Sequence, residues 1–140
     1  METKEYLNQY REMTAECSAL TERIIRLRTA ATRMTSRLDN ARVQGGKKKG
    51  LEDLIAEIMD IEETYVFRLV ACQQVALEIE QVIDRIADGR ARDVLRRYYI
   101  HRQSFQTIAQ HMAYSYNHIL KLHRQGVDEA TLILKQMDRF

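Results

Sequence analysis

Residues 6 to 38 carry the pattern that most restricts how this chain can fold. Tyr6, Tyr10, Met13, Cys17, Leu20, Ile24, Leu27, Ala31, Met34 and Leu38 follow one another at steps of four and three residues without a break. An apolar seam with a mean step of 3.5 residues is the mark of a helix that packs along its length on another helix. The residues between are mostly charged or polar, among them Glu16, Arg23, Arg26, Arg33 and Arg37. A strand would need alternation at every second residue, which this stretch lacks.

A second seam runs Leu51, Leu54, Ile58, Ile61, Tyr65, Arg68, Cys72, Val75, Ile79, Val82 and Ile86, with Arg68 its one polar member. Ile55, Leu69, Ala76 and Ile83 flank it, and a stripe so wide suits more than one neighbouring helix. Between the seams lies NARVQGGKKKG, residues 40–50, where glycines end a helix and lysines resist burial. The reading is all-α: helices at about 3–40 and 51–88, joined by a basic loop at 41–50, close as a long antiparallel helical hairpin of coiled-coil type spanning 1–89. Folding about that loop sets Cys17 level with Cys72 or Val75, as two reduced seam residues, with a redox switch as the alternative. The loop is read as a solvated tip, with contact to nucleic acid or a partner as the alternative.

Composition agrees with a helical chain, since proline is absent and glycine occurs five times in 140 residues. Charge is segregated. Residues 1–50 hold 11 Lys and Arg against 6 Asp and Glu, residues 51–89 hold 2 against 10, and residues 90–140 hold 9 against 4. The acidic middle suits the basic first part as an internal partner, which leaves the last third as the free basic surface.

Several classes of function are set aside. No apolar run reaches the roughly 18 residues of a membrane span, and METKEYLNQYREM lacks an apolar signal core, so a cytoplasmic protein is expected. GGKKKG lacks the spacing of a phosphate-binding loop and follows no strand. His118 and His123 are five residues apart and the cysteines lie elsewhere, so neither a metal nor a cofactor is expected. No nucleophile, base and carboxylate set stands out, so the chain is not read as an enzyme.

The last third, 90–140, reads as a separate domain of three short helices with a further C-terminal helical stretch. ARDVLRRYYIHRQ (91–103) places Val94, Leu95, Tyr98 and Tyr99 at helical spacing, with one of the two tyrosines expected inside. Ser104 stands where an N-cap belongs, ahead of a two-turn helix from Phe105 to Met112, and Ser115 is a second N-cap before a helix opening at Tyr116. A helix-turn-helix needs a small residue at the crossing, met by Ala109. It also needs a shared apolar core, met by Ile108, Met112, Tyr114, Ile119 and Leu122. The turn holds Ala113 in place of the usual glycine, at a cost of roughly 1 kcal/mol if left-handed. The outward groups of the second helix are Ser115, Tyr116, Asn117, His118, Lys121 and Arg124. Asn suits adenine edges, Arg guanine, and Lys phosphate or guanine. Arg90, Arg92, Arg96, Arg97 and Arg102 form a basic cluster ahead of the turn. Arg96, Arg97 and Arg102 are read as phosphate contacts, with a solvated helix face as the alternative.

LRRYYIHRQSFQTIAQHMAYSYNHILKLHRQG, residues 95–126, resembles region 4 of bacterial sigma factors in its arrangement of RY, S, IA, YS, I and LH. The whole chain resembles a family of small phage and prophage proteins of Gram-positive bacteria. YLNQYREM (6–13), RLRTAATRMTSRLDNARVQ (26–44) and LEDLIAEIMDIEE (51–63) correspond to that family's helical segment, basic loop and second helix. The resemblance implies DNA-binding regulators, some of them activators of late phage transcription, working in a bacterial cell. Gly126 stands where such sequences often have alanine.

The expectation is therefore a sequence-specific transcriptional regulator that reads the major groove of double-stranded DNA with the helix starting near Tyr116. The hairpin would serve oligomerisation or contact the host RNA polymerase. A homodimer is expected, with Val127, Ala130, Leu134 and Met137 as part of its interface. Alternatives are a small terminase-like packaging subunit, and a polymerase-binding sigma mimic without an operator of its own.

Overall fold

The computed structural model describes residues 1–40 and 45–137, with the backbone alone described at 38–40 and 45–48. The described residues form α-helices α1 (Thr3–Asn40), α2 (Gly45–Asp84), α3 (Gly89–Leu95), α4 (Phe105–Met112) and α5 (Tyr116–Gln136), with a π-helical turn at Arg96–Ile100. No strand occurs among them. The all-α reading holds.

Two boundaries differ from those expected. Helix α2 begins at Gly45, so the backbone of the lysine run is helical rather than loop; residues 41–44 of the expected loop lie outside the described residues. Helix α2 also ends at Asp84 rather than near 88. Asp88 is not a helix end but a helix start. Its carboxylate Oδ1 accepts from the amides of Arg90, at 2.9 Å, and Ala91, at 3.5 Å, capping α3. The Arg90 amide is the main reason the Asp88 carboxyl titrates below its usual range.

The chain divides into two compact units, Thr14–Ala71 and Met1–Met13 with Cys72–Phe140. In the first, α1 and α2 meet through Glu16–Arg68 at 2.9 Å, Arg23–Glu57 at 3.1 Å and an Arg28–Glu62 pair. Met34 lies beside Gly50, where a Cβ would sit 3.5 Å from the Met34 Cε. These surface pairs contribute at most about 1 kcal/mol each. Cys17, Ile58 and Ile61 are buried, whereas Leu20, Ile24, Leu27, Met34, Leu51, Leu54 and Tyr65 are half-buried. Both cysteines are free thiols.

The second unit has a continuous core. Tyr6 and Leu7 of α1, Ile79, Val82 and Ile83 of α2, Ile86, Ala91 and Leu95 pack with Tyr99, Val127, Ala130, Ile133 and Leu134. The expected dimer face on 127–137 is thereby corrected. Val127, Ala130 and Leu134 are buried inside the chain's own core, and Met137 packs against it. The start of α1, the end of α2 and α3 offer α5 an apolar bed, which covers these residues within the chain. Gly126 permits a close approach: a Cβ there would come within 2.4 Å of Leu95 Cδ1. Thr3 and Thr131 share a hydroxyl hydrogen bond at 2.6 Å, tying the start of α1 to α5.

Candidate nucleic-acid interface

Local chemistry sets the geometry at α4 and α5. The Ser104 hydroxyl accepts from the Thr107 amide at 3.1 Å and opens α4. Ala113 ends α4 at φ 58°, ψ 39°, the left-handed conformation, and its amide donates to the Ala109 carbonyl. The Ser115 hydroxyl accepts from the His118 amide at 3.1 Å and opens α5. The residues joining α4 and α5 are thus a left-handed stop and a capped start, with Tyr114 between them.

Beneath this turn lies a second, smaller core of Val94, Ile108, Ile119 and Leu122, edged by Tyr98, Phe105, Ala109, Met112 and Tyr114. On the opposite side of α5, Asn117, Lys121 and Arg124 are exposed, as are Ser115 and Tyr116 at the start of the helix. Asn117, Lys121 and Arg124 are four and three residues apart and so share one face. Among the described residues, the ion pairs include neither Lys121 nor Arg124. His118 is half-buried, its ring edge-on to Tyr114 at 4.7 Å.

The arginines ahead of the turn separate into two kinds. Arg96 pairs with Asp84 at 2.5 Å, and Arg97 with Asp93 at 3.2 Å, both half-buried. Arg92 donates to the Ile86 carbonyl at 2.9 Å. Arg90 and Arg102 are exposed, Arg90 lying 3.7 Å from Asp88. Arg102 holds φ at 57°, a left-handed backbone that costs a non-glycine residue roughly 1–2 kcal/mol. Just before it the helix widens into the π turn, with the His101 amide donating to the Arg96 carbonyl.

Residue-by-residue reading missed Arg11 as part of this surface. Its guanidinium lies 4.2 Å above the Tyr98 ring and donates to the Tyr98 carbonyl at 2.7 Å. Tyr98 in turn stacks on Phe105 at 4.3 Å. With Ser104, Gln106 and Tyr116, these residues line a shallow open recess. A contact spanning 87 positions leaves no local trace in the sequence. Also unforeseen is the buried pair His123–Tyr99, whose Nε2 and hydroxyl are 2.7 Å apart. Burial, with the Lys4 charge as a lesser cause, lowers His123 to about 4, and burial raises the Tyr99 phenol above its ordinary value.

No group of three or more His, Cys, Asp or Glu side chains among the described residues could hold a metal ion, and no helix among the described residues is long and apolar enough to cross a membrane.

A family model described as a protein of unknown function, DUF1492, matches residues 32–131. The chain belongs to this family. The matched DUF1492 segment holds the capped pair α4 and most of α5 together with the end of α1, all of α2 and α3; Arg11 precedes it. The chain matches no curated protein and no solved structure.

Proposed function

We propose that this protein is a sequence-specific, DNA-binding transcriptional regulator of phage or prophage type. In this reading α4 and α5 are a helix-turn-helix of the sigma-region-4 kind, and α5 enters the major groove. The carrying observation is the face of Asn117, Lys121 and Arg124, exposed and opposite the core of Ile119 and Leu122. Such a face offers groups for base edges and phosphates at the N-terminal end of the helix that follows a tight turn. Tyr116 lies beside it in the recess shared with Arg11. Arg102 and Arg11 are the better candidates for the phosphate backbone, because Arg96 and Arg97 are already engaged by carboxylates. The pairs Glu16–Arg68 and Met34–Gly50 support an antiparallel hairpin of α1 and α2, a platform for oligomerisation or for the host polymerase.

The test is duplex binding by fluorescence anisotropy across a salt series, with DNA flanking the protein's own gene cluster and a scrambled control. The wild type should prefer the cognate probe, and Lys121→Ala/Arg124→Ala should lose that preference. The salt slope should fall by up to about two charges in the double variant. Equal, weak binding of both probes at low salt would refute the reading.

A further inference from the structure

Helix α2 carries a second apolar face, distinct from the seam it turns toward α1. Within the unit Thr14–Ala71, Ile55, Met59, Val66 and Val70 are 45, 64, 58 and 64% exposed. Their steps of four, seven and four residues hold them in one stripe. At about 100° per residue, that stripe lies roughly 120° around the helix from Leu54, Ile58, Ile61 and Tyr65. Single exposed apolar residues are ordinary, but a heptad row of them marks an interface. Beside the row, Ile24, Ile25, Tyr65 and Val66 line an apolar recess between α1 and α2, with Arg28 and Glu62 at its margin. The inner seam tells the same story, because most of its members remain half-buried with only two helices to cover them.

We propose that a second copy of this chain covers this face. The two copies meet about a two-fold axis, so that their α1–α2 segments form a four-helix arrangement. A heptad row calls for a helix as its occupant, since knobs at 3.5-residue spacing need holes at the same spacing. Charge selects which helix. The stripe is bordered by the exposed Glu52 and Glu63, which repel nucleic acid and call for a basic rim. That rim is present on the same unit: a recess on α1 is lined by Ile25, Arg28, Thr29, Thr32 and Arg33. Arg33 belongs to none of the ion pairs among the described residues. A two-fold axis sets the acidic border of each copy's stripe against the basic rim of the other, and so makes every such contact twice. The proposal does not depend on DNA binding.

Light scattering on the full chain gives the mass, and hydroxyl-radical footprinting of the methionines gives an independent readout. The wild type should weigh twice 16.5 kDa, and Met59→Glu/Val70→Glu should restore the single-chain mass with unchanged helical circular dichroism. Both sites are exposed, so the substitutions leave the chain's own packing intact. In the wild type, Met59 should oxidise roughly tenfold more slowly than Met1, although the two are 64% and 71% exposed in the single chain. A single-chain mass for the wild type, a ring of eight or more copies, a dimer that survives the double substitution, or Met59 oxidising as fast as Met1 would each overturn the proposal.

Discussion

His123 Nε2 and the Tyr99 hydroxyl lie 2.7 Å apart at the point where α5 crosses the π turn. Tyr99 is 1% exposed and His123 9%, with Tyr98 and Phe105 edge-on to the imidazole. A charged imidazolium is costly in such a place. His123 therefore stays neutral down to about pH 4, whereas the unfolded chain takes up a proton near 6.5. Stability is complete above pH 6.5 and falls as the pH drops from 6.5 to 4, because only the unfolded state gains the proton in that window. Allowing for partial solvent screening, the loss should be roughly 2 kcal/mol. Urea midpoints measured from pH 7.5 to 4 check this. His123→Gln keeps a hydrogen-bonding group and should flatten that part of the profile.

Ala113 adopts a backbone that glycine enters freely. Ala113→Gly should stabilise the protein by up to about 1 kcal/mol, less whatever the unfolded chain gains in freedom. Ala113→Val should do the reverse, since a branched Cβ resists positive φ. Thermal melts of the three proteins order them. If Ala113→Gly melts lower than the wild type, the left-handed stop is not under strain.

Gly126 leaves room for Leu95 and for nothing more. Gly126→Ala should cost about 1–3 kcal/mol by overpacking, even though alanine is the better helix former. Leu95→Ala alone should cost about 2–5 kcal/mol. The double variant should cost less than the sum of the two, because the new methyl fills space the leucine vacates. Additive losses in urea unfolding would show that the two positions do not compete for the same volume.

Arg11 gives the DNA reading a test on α1, outside α5 itself. On that reading Arg11→Gln should weaken binding to cognate and scrambled duplexes alike and lower the salt slope by about one. Asn117→Ala should instead erode the preference between probes by about 1–3 kcal/mol. A loss of preference at Arg11 with no change in slope would remove it from the backbone contacts.

Legibility followed distance along the chain. Ser104, Ala113 and Ser115 were readable because capping and left-handed turns depend on two or three neighbouring residues. Ile108, Ile119 and Leu122 were readable from their offsets around that turn. Asp88 misled because Asp-Gly also ends helices, and only the placement of the Arg90 amide reveals a start. The π turn was hidden because RRYYI has no breaker in it. Arg11 over Tyr98 and His123 against Tyr99 were invisible, since residues 87 and 24 positions apart signal nothing to each other in a linear pattern. The apolar face at 127–137 was seen, but periodicity shows that a face is apolar without saying whether its own chain or another covers it.

Helix α5 is one rod with two kinds of obligation. Ile119, Leu122, Gly126, Val127, Ala130 and Leu134 are held in place by the cores beneath them, whereas Asn117, Lys121 and Arg124 touch little of their own chain. Substitution at the first set is paid in stability; at the second it is nearly free. Relatives could therefore drift apart at the three outward positions while keeping the same architecture, so that what the helix presents can change over generations without a new fold having to be found.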